Sequence, residues 1–92
     1  MSYEIEGLVD SVFNEETVGN NGFKKRILWL KTEEQYPQEL EIQFNQNNTD
    51  LLDGFKEGDR VKVSVNVNGR KNTKGEVVRI FNSLVGYRIK RL

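Results

Sequence analysis

The chain has no cysteine and no histidine among its 92 residues, and each absence removes a class of function. Without cysteine there can be no disulfide framework, thiolate nucleophile or thiolate metal site. Without histidine the usual general base and the commonest zinc ligand are both missing. Carboxylates alone could hold a hard cation, but no Asp-rich loop with ligand spacing occurs, so neither a metal nor a cofactor is expected. No apolar run approaches the roughly 20 residues that a membrane helix needs. The opening residues, MSYEIEGLVDSV, contain no basic segment leading into an apolar one. That predicts no secretion signal, a cytoplasmic location and no membrane association. Asn47-Asn48-Thr49 matches the glycosylation sequon, which without a secretion signal reads as chance.

Catalysis finds little to work with. Ser-His-Asp and Cys-His arrangements are impossible, and no Gly-rich loop opens a helix to cradle phosphate. The acid pairs Glu15-Glu16 and Glu33-Glu34 fall in turn segments, where solvated carboxylates are ordinary. The chain therefore reads as a binding protein, not an enzyme. At this length it forms one domain, residues 1–92. An apolar share of 36% beside 30% charged residues suits a small barrel, whose surface is large for its interior.

Fourteen basic and fourteen acidic residues cancel, yet they are not mixed. Lys24, Lys25, Arg26 and Lys31 form one block without an acid. Arg70, Lys71, Lys74, Arg79, Arg88, Lys90 and Arg91 form a second, opposed only by Glu76. The remainder is strongly acidic. Such segregation points to a surface for an anionic partner more than zero net charge suggests.

Alternation of period two dominates the chain. Ile5, Val9 and Phe13 mark a first strand, with Gly7 as a candidate bulge. The polar stretch NEETVGNNG follows, with a turn at Asn21-Gly22. Residues 23–32 form a second strand: Arg26, Leu28 and Leu30 project to one side, Lys25, Ile27, Trp29 and Lys31 to the other. After a turn at EEQYP, Leu40, Ile42 and Phe44 alternate with Glu39, Glu41 and Gln43 in a third. A short helix is expected in NNTDLLDGF, capped by Asn48 or Thr49, with Leu51, Leu52 and Phe55 on one face. Val61, Val63, Val65 and Val67 point inward from a fourth strand, with Lys62, Ser64, Asn66 and Asn68 outward. A basic hairpin turns near Lys74-Gly75, and the last strand ends in GYRIKRL. Phe13, Phe44, Phe55 and Tyr87 are assigned to the core; Phe81 could stack on a ligand or lie inside. Three strands, a helix and two strands favour a closed all-β barrel, the five-stranded OB-fold, because closure removes edges that so small a chain could not cover.

The stretch FKEGDRVKVSVNVNGRKN with TKGEVVRIFNSLVGYRIKRL resembles the second half of bacterial single-stranded DNA-binding proteins. Upstream, FKKRILWLKT and ELEIQFNQNNTDLL look like that family's second and third strands and helix. More specifically, QYPQ, FNQNNTDLLDGFKEGD and FNSL resemble an uncharacterised family of small bacterial OB-fold proteins. Members of the DNA-binding family continue into a flexible linker and an acidic tip, whereas this chain ends at Leu92, directly after its last strand.

The resemblance implies a partner, single-stranded nucleic acid with DNA foremost, bound with little sequence preference and by a homo-oligomer such as a dimer. Barrels of this type hold single strands on their second and third strands and on the loops between strands one and two and four and five. Phosphates need a basic track and bases need aromatic faces. The candidate residues are Lys24, Lys25, Arg26, Trp29, Lys31, Arg70, Lys71, Lys74, Arg79 and Arg88. Trp29 reads either as a stacking platform or as a residue that fills a dimer interface or a side pocket. A turn centred on EEQYP places Trp29 opposite Glu41 and Lys31 opposite Glu39, and those carboxylates would repel phosphate. The alternative function is a protein-interaction or assembly module on the same barrel, with Trp29 and Ile27 as an apolar patch.

Overall fold

A sheet whose strands each have one apolar face can hide that face by curling onto itself, and this sheet does so. The computed structural model describes residues 2–92. Its strands are β1 Ser2–Val12, β2 Glu16–Val18, β3 Phe23–Thr32, β4 Glu39–Asn45, β5 Arg60–Lys74 and β6 Val77–Arg91, with a 3₁₀-helix at Gln46–Leu52 before β5. The order β1-β5-β6-β4-β3 closes because β1 also pairs with β3. β4 and β6 run parallel and the other pairs antiparallel. The result is the expected five-stranded OB barrel, with β2 added as a short flap on β3.

Among the described residues, nine hydrophobic side chains fill the interior: Val9, Leu28, Leu30, Ile42, Phe44, Leu52, Val61, Val63 and Val65, none above 2% exposed. Ile5, Val12, Phe55, Leu84 and Ile89 pack around them. Two glycines make this packing possible. Gly7 pairs with Val61 of β5 and with Thr32 of β3, and a Cβ there would lie 2.4 Å from the Lys31 carbonyl oxygen. Gly86 lies directly against the Phe44 ring, 2.4 Å from where its own Cβ would stand.

Several expectations need correction. The bulge in β1 falls between Val9 and Ser11, three residues after Gly7; Gly7 is needed for close approach. The polar stretch after β1 contains β2, which its composition hid. The helix is a 3₁₀-helix beginning at Gln46 after Asn45, which makes no side-chain capping bond. With three residues per turn, Leu52 is buried but Leu51 is 38% exposed. Thr49 is not a cap; it is buried, its hydroxyl within hydrogen-bond distance of Glu15 Oε1 (2.5 Å) and the Gln46 carbonyl (3.0 Å). Phe13 and Tyr87 are not core. Phe13 lies just beyond β1 and packs edge-on against outward-facing Trp29. Tyr87 is the extra residue of a bulge between the pairs Val65–Gly86 and Ser64–Arg88. The bulge turns it outward, where its hydroxyl shares a hydrogen bond with Ser2 Oγ. Ser64 lies on the outward register but is buried all the same, beside Glu4, Lys62, Arg88 and Lys90. Val67 is exposed because β5 has by then left the barrel.

That departure shapes the molecule. β5 and β6 remain paired out to Lys74–Val77, and every residue from Asn66 to Ser83 is exposed. The eight residues from Val67 to Lys74 span about 26 Å at strand rise. The radius of gyration is 14.4 Å, against about 12 Å for a compact chain of this length. The β5–β6 hairpin is therefore an arm projecting from the barrel.

At the barrel's other end, the loop into β5 is held by Asp59. Its carboxylate accepts the Lys56 N–H at 3.0 Å and Arg91 Nη2–H at 3.1 Å. These two bonds, the backbone one foremost, hold its pKa below the usual carboxylate range.

Replacing Gly86 with Ala is expected to destabilise the protein by about 1–3 kcal/mol through overpacking against Phe44, measured by urea unfolding. The lowered pKa of Asp59 means that its contribution is present above the ordinary carboxylate value of 3.8 and lost as pH falls through the folded value. Asp59→Asn should therefore flatten the decline in stability below about pH 4 and leave the slope near neutrality unchanged, as read from melting temperature against pH.

Candidate nucleic-acid interface

β3 sends its side chains to two destinations, and only one faces solvent. Arg26 shares the inward register with Leu28 and Leu30. Its guanidinium donates to the Phe13 carbonyl (2.8 Å), the Thr49 carbonyl (3.2 Å) and the Asp53 carboxylate (2.6 Å). With the side chain only 17% exposed, Arg26 clasps the end of β1 to the helix, and its charge is committed to Asp53.

Lys25, Ile27, Trp29 and Lys31 take the outward register. The β3–β4 pairing is the one expected, with Trp29 opposite Glu41 and Lys31 opposite Glu39. Trp29 is 44% exposed, and its indole N–H donates to Glu41 Oε1 at 3.0 Å. The Phe13 ring meets it edge-on, with centroids 4.7 Å apart and planes at 72°. A hollow of 330 Å³ beside it is bordered by Asp10, Glu39 and Glu41, with Lys31 as its one cation. The surface around Trp29 is thus aromatic but acidic. Lys25 is half-buried and pairs across β2 with Glu16; Lys24, next to it, is exposed and pairs with Thr17.

The arm differs in charge. Its cross-strand pairs are Asn68–Ser83, Arg70–Phe81, Lys71–Ile80, Asn72–Arg79, Thr73–Val78 and Lys74–Val77. Directly opposed residues share a face, and successive pairs alternate between faces. One face therefore carries Arg70, Phe81, Asn72, Arg79, Lys74 and Val77. The other carries Lys71, Ile80, Thr73 and Val78, in line with Val67. Neither face contains an acid; Glu76 sits in the turn. Among the described residues, Arg70, Lys71, Lys74 and Arg79 form no ion pair, while Arg26, Arg60, Lys62 and Arg91 each do.

Arg88 stands apart from this group. It lies on β6 opposite Ser64, beside Glu4, Lys62 and Lys90, on the β1–β5–β6 side of the barrel and away from Trp29. The structure thus brings together Arg70, Lys74 and Arg79 on one face of the arm, puts Lys71 on the other, and leaves Lys24, Lys25, Trp29 and Lys31 along β3. Phe81, left open by the sequence, joins the basic face at 54% exposure. Its pairing with Arg70 was the signal for this, and it depends on the length of the hairpin. Among the described residues, no group of three or more Asp or Glu is placed to hold a metal ion, and no helix is long and apolar enough to cross a membrane.

Three crystal structures of the mitochondrial single-stranded DNA-binding protein Rim1 from S. cerevisiae share this fold. They align over 100% of this chain and 94–95% of theirs, with TM-scores of 0.75, 0.78 and 0.76 at 18–19% identity. At that identity the likeness establishes the barrel. No curated protein matches in sequence. The model of a domain of unknown function, DUF3127, matches residues 4–90, nearly the whole barrel and all of the arm, and the chain belongs to that family.

Proposed function

We propose that this protein binds single-stranded nucleic acid, DNA foremost, without catalysis. The observation that carries the reading is the arm: four cations, Arg70, Lys71, Lys74 and Arg79, on a ribbon whose faces hold no acid. Unpaired cations near a phosphate chain release its condensed counterions, which is the main source of affinity for such partners. The resemblance in fold to a mitochondrial single-stranded DNA-binding protein supports the same reading. Lys24 and Lys25, at the start of β3, lie beside the end of β4 farther from the arm, where Lys25 pairs with Asn45, and form a separate cationic group. The strand would lie along the arm and reach the barrel, with the acids around Trp29 limiting how far it follows β3.

A second reading is favoured by the arm's other face. Val67, Val78 and Ile80 are 43%, 54% and 65% exposed, and a two-stranded ribbon without a covering layer is only marginally stable. This face suits self-association, which is compatible with binding on the basic face.

Fluorescence anisotropy of labelled oligo-dT should report saturable binding that weakens as salt rises. Replacing Arg70, Lys74 and Arg79 together with Ala should make the log–log salt slope shallower by about 2, from about 0.7 for each lost phosphate contact. An unchanged slope would remove the arm from the interface. If the apolar face assembles copies, Ile80→Glu should lower the mass seen by light scattering while the salt slope is retained; a mass that does not change refutes the second reading.

A further inference from the structure

On the basic face of the arm, Phe81 is flanked on both sides by open space. One hollow, of 340 Å³, is lined by Asn72, Lys74, Val77, Arg79 and Phe81. The other, of 390 Å³, is lined by Asn68, Gly69, Arg70, Phe81, Asn82 and Ser83. Phe81 is the residue they share. Each is within the size range that holds a small organic ligand, and neither is lined by an acid.

The spacing of the ribbon supports one kind of occupant. Side chains on one face of a strand recur about every 6.6 Å. Stacked bases lie about 3.4 Å apart, so two bases enclosing one aromatic ring between them are separated by about twice that, close to the ribbon's repeat. Cations lie next to both hollows, Arg70 beside one and Lys74 and Arg79 beside the other. The amides of Asn68 and Asn72 share that face, each offering a donor and an acceptor to a base edge.

We propose that Phe81 is a two-sided stacking platform that takes two successive bases of a single strand, one in each hollow, while Arg70, Lys74 and Arg79 hold the flanking phosphates. The platform rests on the nucleic-acid reading above and goes beyond it by moving the stacking residue from the barrel to the arm. Trp29, whose indole N–H is engaged by Glu41, does not hold the bases in this arrangement.

The test compares the unsubstituted protein with Phe81→Ala and with a double variant, Trp29→Phe with Phe81→Trp, whose single indole stands at the platform. Phe81 is exposed and outside the core cluster, so the melting temperature of Phe81→Ala should hold. Oligo-dT affinity in Phe81→Ala should fall about 5- to 150-fold for each base that loses its stack. A chain of abasic sites should bind the unsubstituted and Phe81→Ala proteins equally. In the double variant, oligo-dT should quench the indole saturably. Phe81→Ala affinity within twofold of the unsubstituted protein, or an indole at position 81 that does not respond to bound oligo-dT, overturns the platform and leaves nucleic-acid binding standing. Failure of the unsubstituted protein to bind oligo-dT even at low salt overturns that reading and the platform with it.

Discussion

At Gly7 one strand leaves its first partner and takes up its second, and the whole barrel depends on that crossing. Residues 2–8 of β1 pair with β5 and residues 7–12 with β3, so the ring closes only where both neighbours come within hydrogen-bonding reach. The Lys31 carbonyl comes so near that a side chain on residue 7 has no space. Unlike a flexible side chain, that carbonyl belongs to β3 itself and cannot yield without moving the strand. Closure in turn hides the nine-residue core from water. It also pairs the backbone edges that an open sheet of this size would expose.

Once the ring is closed, what remains of β5 and β6 has no barrel to belong to. The two strands continue as a ribbon whose side chains contribute nothing to the core cluster. Freed from packing, these positions can carry charge at little cost to stability, and they do. The acids are concentrated elsewhere, on β1, around the turn between β3 and β4, and in the loop that Asp59 and Arg91 tie down. Several cations of the barrel are consumed in ion pairs that hold its parts together: Arg26 with Asp53, Arg60 with Glu33, Lys62 with Glu6. The arm's cations have no such duty. The division of charge along the chain is thus a division of labour between a closed barrel and a projecting ribbon.

Much of this was legible in the sequence. The strand at 23–32, its register against β4 and the hairpin tip at Lys74-Gly75 follow from alternation and turn chemistry, which are local. What was not legible depends on where the barrel ends. Val67 continues a perfect valine alternation, and nothing in that pattern announces that its inward side faces solvent. Tyr87 departs from the expected inward alternation because a bulge inserts one residue and reverses the parity beyond it. Arg26 reads as a free cation in a basic run, yet its partners are 13 to 27 residues away. Pairing at that distance is invisible to composition. The candidate site was accordingly half legible: the basic blocks were found, but which members share a face was set by tertiary structure.

Exposed aromatics occur both at the barrel and on the arm, and electrostatics separates them. A phosphate about 4 Å from a carboxylate is opposed by about 1 kcal/mol in bulk water and about 4 kcal/mol at the effective dielectric of a protein surface. Stacking one base returns about 1–3 kcal/mol. Beside Trp29, with Asp10, Glu39 and Glu41 against Lys31, these terms have opposite signs and similar size, so the gain from stacking is largely cancelled. Beside Phe81, attraction to Arg70, Lys74 and Arg79 adds to stacking. The more conspicuous indole is therefore the poorer platform, and the phenyl ring on the arm is where both forces act in the same direction.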